Sequence, residues 1–586
     1  MFKVSNPEHQ GSAMTRTAAH LIAETLEAAG VKRVYGVAGD SLNGFTDALR
    51  ARGAIDWVHV RHEEAAAFAA GAEAQLTGQV AVCAGSCGPG NLHLINGLFD
   101  AQRSGAPVLA IAAHIPSTEI GIDYFQATHP ESLFKDCSHY VELVSQPENL
   151  PQVLERALRV AIARKGVAVV VISGDVALRP LDAAPPTWIA PSPPRLVPPE
   201  HDIAALAAIL NDSQRITLLC GIGCAGAREQ VLALAEALKA PIVHALRGKE
   251  SIEHDNPYDV GMTGFIGFSS GYAAMKACDT LVILGSGFPY RQFYPDKARV
   301  VQVDVSPEAL GNRRRIDLGV LGDVGETLDA LLPRLAVKTD RRFLDKAVEH
   351  YAKAREGLDA LAAITPGATQ IHPQQVSRVV SDLAAQDAIF TCDVGTPTVW
   401  AARYLKLNGR RRLLGSFNHG SMANAMLQAI GAQAAFPDRQ VVSMSGDGGF
   451  SMMMGDFISL SQLGLPVKVI VLNNGTLGFV EMEMKAGGFL DTAVDLVNPD
   501  FAAMAQAMGV KAFRVESPHA LEAAVAAAFA HPGPALVDVV SARQELVMPP
   551  RIAARDAHNF GVFALKAVLD GRAGELIDLA KVNLLR

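Results

Sequence analysis

Short runs of apolar, largely β-branched residues recur along the chain, each followed by a stretch of helical periodicity; residues 108–113 and 167–172 are two of them. A helix that crosses a bilayer needs ~20 consecutive apolar residues, so these runs read as buried strands. Strands apolar on both faces belong to parallel sheets covered by helices on each side. The repeat of this unit sets the fold class as α/β.

The pattern predicts helix 17–29, strand 33–37, helix 41–50, strand 57–60, an Ala-rich helix 64–76, and strands 80–84, 108–112 and 167–173. Eight prolines between Pro180 and Pro199 then exclude helix and central strand, so the chain runs extended as a linker. A second block has strands at 215–220, 241–244, 280–284 and 300–305 and closes near Leu335. A polar helix, 341–361, leads to a third block with strands 388–391, 440–445 and 467–472. After Pro549-Pro550 come two amphipathic segments and no strand. Phe560, Phe563, Ala564, Ala567 and Val568 share one helical face, Leu576, Ile577, Ala580 and Leu584 another, with Arg572, Lys581 and Arg586 on the polar side. Such a tail either docks on its own domain or lies in a membrane interface. The expected plan is three consecutive parallel-sheet α/β domains (14–190, 191–340, 341–540), an N-terminal extension (1–13) and an amphipathic tail (541–586).

Composition agrees. With 586 residues, 49% hydrophobic and 19% charged, the chain has room for several globular domains. Its 52 basic residues against 60 acidic ones give a net charge of −8, and no basic run tracks a phosphate backbone, so nucleic acid is not the expected partner. Seven cysteines are too sparse and odd in number for a disulfide scaffold, which suits a reducing compartment. The C-x3-C pairs Cys83/Cys87 and Cys220/Cys224 lack a neighbouring pair to complete a zinc site. Residues 1–13 contain no apolar stretch of the kind a signal peptide needs.

The most specific signal is Ser445-Gly446-Asp447-Gly448-Gly449-Phe450 at the end of one apolar strand, followed at the end of the next by Asn473-Asn474-Gly475. Asp447 and the Asn474 carbonyl are hard oxygen ligands of the kind Mg2+ prefers, and Gly448 and Gly449 let backbone amides approach a diphosphate at a helix N-terminus. This motif resembles the diphosphate and metal site of thiamine-diphosphate enzymes. Arg61-His62-Glu63-Glu64-Ala65-Ala66-Ala67-Phe68 resembles the segment that sets a carboxylate, here Glu63, against the aminopyrimidine ring of that cofactor.

Further segments narrow the resemblance over the chain from about Met14 to Arg586. Gly85-Ser86-Cys87-Gly88-Pro89-Gly90-Asn91, Asp123-Tyr124-Phe125-Gln126, Gly420-Ser421-Met422-Ala423-Asn424-Ala425-Met426 and Leu477-Gly478-Phe479-Val480-Glu481-Met482-Glu483 resemble the pyruvate oxidase branch, nearest to its quinone-dependent pyruvate dehydrogenases. The resemblance implies pyrimidine-binding, FAD-binding and diphosphate-binding domains in that order, active sites formed between subunits, and a homotetramer. It makes Met422 an apolar wedge that bends the cofactor, with Gly420, Ser421, Gly475, Thr476, Leu477, Gly478, Phe479 and Val480 around it and Thr476 joining Asp447 and Asn474 at the metal. Glu483 handles protons near the reacting carbonyl and Phe479 lies towards the flavin. Phe125 and Gln126 come from the other subunit.

Gly221-Ile222-Gly223-Cys224-Ala225-Gly226 spells a dinucleotide fingerprint after a strand, but the acid expected at the end of the following strand is missing, and that stretch carries His244, Leu246 and Arg247 instead. The resemblance places FAD on Thr263-Gly264-Phe265-Ile266, Ser286-Gly287-Phe288-Pro289-Tyr290 and Asp304 of the same domain. It implies an enzyme that decarboxylates pyruvate to acetate and CO2 and passes electrons through FAD to ubiquinone. Such an enzyme is cytoplasmic and binds the inner face of the cell membrane through its C-terminal tail when activated. An acetolactate synthase-like carboligase and an O2-using pyruvate oxidase share the folds and cofactors. A catalytically dead scaffold would have lost Glu63, Asp447 or Asn474, and all three are present.

Overall fold

The computed structural model describes residues 16–184, 186, 188–192, 195–547 and 554–584. The extension 1–13, Met14, three of the linker prolines (Pro185, Pro193 and Pro194), the Pro549-Pro550 break and Arg586 lie outside them, as does the side chain of Leu584. Each of the three α/β domains is built on a six-stranded sheet, and every strand pair in the three sheets is parallel. The chain divides into two compact units, one ending at Ser192 and the other starting at Pro193.

In the first unit, strands β1 (Arg33–Gly36), β2 (Asp56–His59), β3 (Ala81–Gly85), β4 (Val108–His114), β5 (Tyr140–Val144) and β6 (Val167–Ser173) lie in the order β2-β1-β3-β4-β6-β5. β4 and β6 are buried along their whole length, as their unbroken apolar runs require. Glu63–Thr77 is helical, and its run of alanines is buried against helix Pro89–Ser104 because side chains this small let two helices approach closely.

The second unit holds two sheets. Strands β7 (Ile216–Cys220), β8 (Ile242–His244), β9 (Asp259–Met262), β10 (Thr280–Leu284), β11 (Arg299–Asp304) and β12 (Leu318–Leu321) are ordered β12-β11-β10-β7-β8-β9. The chain reverses direction across this sheet between β7 and β10, and such a switch point opens a crevice at the C-terminal strand ends. Strands β13 (Ile389–Cys392), β14 (Arg412–Gly415), β15 (Val441–Gly446), β16 (Lys468–Asn473), β17 (Lys511–Val515) and β18 (Ala535–Val540) follow the order β14-β13-β15-β16-β18-β17, which repeats that of the first sheet. Its switch point lies between β13 and β15, so Asp393 and Asp447 leave the sheet side by side.

Six strands lie outside the sequence expectation: β5, β9, β12, β14, β17 and β18. The first five are at sheet edges or short, with polar residues on one face. β18 is interior, but Asp538 interrupts its apolar run; the buried carboxylate accepts from Asn473 Nδ2 at 2.9 Å and pairs with Arg514 at 2.8 Å. The tail forms helices Ala554–Leu569 and Ala573–Leu584. Their docked face carries Phe563, Ala567, Leu579 and Val582. Val568 and Ile577 point to solvent with Leu565 and Leu569, so the tail is apolar on two sides. Among the described residues no helix is long and apolar enough to cross a membrane. All seven cysteines are free and buried.

Arg403, on helix Thr396–Tyr404, ties the third sheet to the second. Its guanidinium is buried and donates to the carbonyls of Ile266 at 3.0 Å and Gly267 at 3.2 Å, and burial lowers its pKa to about 10. Arg403→Met would strand two buried carbonyls, each costing ~1 to 3 kcal/mol. Denaturant unfolding is expected to show a loss of about 2 to 6 kcal/mol; a loss below about 0.5 kcal/mol would show that this tie carries no stability.

Candidate active site

In the first unit, helix Glu63–Thr77 presents Glu63 at its N-terminus, capped by the His62 ring, which accepts from Glu64 N at 3.2 Å. Glu63 is only 7% exposed. Oε2 lies 2.9 Å from His93 Nδ1, whose ring stacks on His62, and a Cβ added at Gly90 would stand 2.9 Å from Oε1. Glu64 turns aside to accept from Asn96 at 2.8 Å. One glutamate is thus held beside the Gly88–Gly90 turn while its neighbour is spent on structure. Gln126 packs on the same turn, with its backbone at φ +61° and its Oε1 3.3 Å from Cys87 Sγ. Phe125 beside it is 78% exposed.

In the second unit, Asp447 opens helix Asp447–Met452 directly after β15 and is 2% exposed. Its Oδ1 accepts from Gly448 N at 2.9 Å, and its Oδ2 accepts from Gly475 N and Asn498 Nδ2, both at 2.7 Å. Burial raises its pKa, and among the described residues no basic side chain pairs with it. Asp393, at the end of β13, is fully buried. Its Oδ1 accepts from Ala425 N at 2.9 Å, its Oδ2 has no partner, and burial pushes its pKa up to about 7. A Cβ at Gly449 would collide with Asp393 Oδ2, and one at Gly448 would come within 2.8 Å of Leu477 Cδ2 and 3.3 Å of Met422 Cε. The two glycines therefore let the Asp393 and Asp447 loops, Met422 and Leu477 converge. Ala423, next to Met422, sits at φ +63°, a strained setting for a residue with a Cβ. Gly420 and Ser421 lead into it, with Ser421 N donating to Ser416 Oγ at 3.0 Å.

This arrangement suits a diphosphate with a divalent cation: a buried carboxylate without a counter-charge, an orphaned carboxylate oxygen, and backbone amides freed by glycine. Asn474 Oδ1 accepts from Thr476 N at 3.2 Å, and the Thr476 hydroxyl donates to Glu481 at 2.6 Å, leaving the Thr476 carbonyl for a metal. Asn498 and Asp393 were not singled out in the sequence. Asp393 follows an apolar strand just as Asp447 does, but without a Gly-Asp-Gly to mark it.

Helix Gly478–Ala486 carries Phe479, Val480 and Glu483. On its other side lies a buried ionic network. Lys485, 2% exposed, pairs with Glu481 and with Glu575 of the tail, each at 2.6 Å, donates to Gln544 Oε1 at 2.9 Å, and lies over the Phe563 ring. Arg572 of the tail pairs with Asp491 and, at 2.7 Å, with Glu575. Glu481, Asp491 and Glu575 approach closely enough to hold a cation, but Lys485 and Arg572 already supply the counter-charge. Arg572, on the polar side of the tail, is committed within the molecule.

In the middle domain, Phe265 packs edge-on against Tyr290 at 4.7 Å and Phe293 at 5.2 Å, and Phe288 lies 5.5 Å from Tyr290, which joins the two segments expected to hold FAD. Thr263 Oγ1 is buried without a partner, Gly264 is at φ +98°, and Ser286 is buried beside Gly287 and Pro289. Asp304 ends β11, accepts from Ser306 N at 3.0 Å, and has its pKa raised by burial. The fingerprint glycines have another role: Gly221 and Gly223 let their loop lie directly on Gly285. An orphaned hydroxyl and a glycine-lined crevice fit a dinucleotide here. Burial and the Glu483 carboxylate both raise the Tyr290 pKa, and Ile266 and Phe479 pack against one core. Tyr290 is thus near enough to the helix Gly478–Ala486 to feel the charge of Glu483.

Glu63→Gln keeps the shape and removes a proton acceptor. Turnover should fall by ~10^2 to 10^4 with the unfolding midpoint little changed. A rate within about threefold of the parent would remove Glu63 from the chemistry.

Three segments match domains of thiamine pyrophosphate enzymes: the N-terminal binding domain over residues 16–133, the central domain over 203–331 and the C-terminal binding domain over 393–539. The chain is 37% identical to a putative thiamine pyrophosphate-containing protein of Bacillus subtilis over 573 residues, 97% of this chain and 98% of that one. It is 32% identical to a pyruvate oxidase of Lactiplantibacillus plantarum over 533 residues, 89% of this chain and 87% of the relative. An acetolactate synthase large subunit of Parasynechococcus marenigrum is 33% identical over 559 residues, 91% of this chain and 89% of the relative. With all three domains matched and relatives above 30% identity along nearly its whole length, the chain belongs to the thiamine pyrophosphate enzyme family.

Proposed function

We propose that this enzyme oxidatively decarboxylates pyruvate and delivers the electrons through FAD to ubiquinone at a membrane surface, working as a homotetramer. The balance is pyruvate, water and quinone to acetate, CO2 and quinol, with two electrons and two protons transferred. Thiamine diphosphate supplies the electron sink that lets CO2 leave a 2-keto acid, and FAD accepts the electron pair. The chain's own residues do the rest. Glu63 accepts a proton at its buried carboxylate. Asp447, Asn474 and the Thr476 carbonyl would hold Mg2+, and the Gly448 and Gly449 amides the diphosphate. Met422 and Leu477 exclude water, and Glu483 moves protons at the open end of its helix.

The observation that carries this reading is that the Glu483 charge acts on Tyr290 while Ile266 and Phe479 pack on one core, which supports electron transfer to a flavin near that helix. A carboligase like the acetolactate synthase relatives has no use for that exit. The exposed Phe125 loop supports a site completed by another subunit. The outward apolar set Leu565, Val568, Leu569 and Ile577 supports contact with lipid, where the quinone resides. A net charge of −8 opposes approach to anionic lipid, and of the tail cations Lys581 is exposed.

Deleting the residues after Arg555 removes Glu575 but leaves Lys485 paired with Glu481. Pyruvate-dependent reduction of ferricyanide should therefore survive, while vesicle flotation with pyruvate and stimulation by lipid should be lost. If the shortened enzyme floats and reduces quinone in vesicles at the full-length rate, the membrane role of the tail is wrong.

A further inference from the structure

At the opposite end of the middle sheet's strands from the Gly221/Gly285 crevice, an open cavity of about 550 Å3 is lined by Arg291, Ala298, Arg313, Arg314, Arg315 and Asp317. Ala298 precedes β11 and Asp317 precedes β12, so the cavity sits at the N-terminal strand ends. Two separate segments bring the arginines there: the turn Arg291–Phe293 and the loop that enters β12. The Asp317 carboxylate is partly spent, accepting from Val300 N at 2.8 Å, and Arg314 is anchored by donating to the Asp296 carbonyl at 2.8 Å. The side chains of Arg291, Arg313 and Arg315 have no ion pair among the described residues. Arginines elsewhere on this surface do: Arg334 with Glu200, Arg342 with Asp340, and Arg514 with Glu516.

Four guanidinium groups against one carboxylate leave a local excess of three positive charges in a chain whose net charge is −8. Like charges gathered around one space repel, and the arrangement is relieved when an anion enters. The volume falls in the ~300 to 1,000 Å3 range of small-ligand sites. Guanidinium forks match phosphate oxygens in pairs, and several of them around one cavity fit a group carrying more than one negative charge. We propose that this arginine cavity is a second ligand site, which binds a phosphorylated polyanion. That chemistry occurs in free phosphate compounds and in anionic lipid headgroups. The proposal does not depend on the reaction assigned above, since its readout is binding.

The test uses the full-length holoenzyme, saturated with thiamine diphosphate, Mg2+ and FAD so that those diphosphate sites are filled, and compares it with Arg313→Gln/Arg315→Gln. Calorimetric titration with inorganic pyrophosphate at low ionic strength, with Mg2+ in constant excess, should show saturable binding that weakens at least about tenfold in the double variant and weakens with added salt. Flotation with phosphatidylglycerol and phosphatidylcholine vesicles separates the sources. If the double variant loses selective binding to phosphatidylglycerol and pyrophosphate competes with those vesicles in the parent, the ligand is a headgroup. If flotation is unchanged while pyrophosphate binding is lost, it is a free phosphate compound. Pyrophosphate binding that is absent, or equal in parent and variant, overturns the proposal. Thermal unfolding of both proteins without pyrophosphate should agree within about 2 °C, so that lost binding cannot be lost folding.

Discussion

A carboxylate buried at a sheet's switch point without a cation to match it is the constraint from which the catalytic half of this molecule follows. Asp447 is held by two backbone amides and one side-chain amide, and burial works against its charge. Such a group is costly unless a positive charge arrives with a ligand. The surroundings are shaped to let that happen: glycines at 448 and 449, an unpartnered oxygen on Asp393, and Met422 presented from a strained Ala423. The first and third sheets share one strand order, so the same architecture that positions Asp447 also fixes Glu63 beside a glycine turn in the first unit.

The helix of Phe479 and Glu483 is joined to the tail through one buried lysine. Lys485 lies on the helix of Phe479 and Glu483 and divides its charge between Glu481 of that helix and Glu575 of the tail. Lifting the tail removes one of two carboxylates from a buried ammonium, a change the helix of Phe479 and Glu483 must feel, whereas the remaining pair keeps the charge compensated. Docking and an outward apolar stripe therefore coexist: Phe563 and Ala567 are buried while Leu565, Val568 and Leu569 face solvent.

Much of this was legible in the sequence, for physical reasons. Interior parallel strands such as β4 and β6 are apolar on both faces and announce themselves. Edge strands such as β5 and β12 are half-polar and do not, and β18 was hidden by Asp538, whose partners come from other strands. Asp447 was legible because close approach demands glycine on its far side, a local signal. Asp393 and Asn498 reach the same place through the fold alone. For the tail, helical periodicity shows that a stripe is apolar but not which of its residues find a partner: Phe563 and Ala567 are buried while Val568 of the same stripe is exposed.

In the proposed reaction the flavin takes the electrons from pyruvate. Purified enzyme carrying thiamine diphosphate, Mg2+ and FAD, mixed with pyruvate in the absence of oxygen, should lose its oxidised flavin absorption in a single phase, with one acetate and one CO2 formed per flavin. If the flavin stays oxidised while pyruvate is consumed and acetolactate accumulates, the enzyme is a carboligase and the account is contradicted.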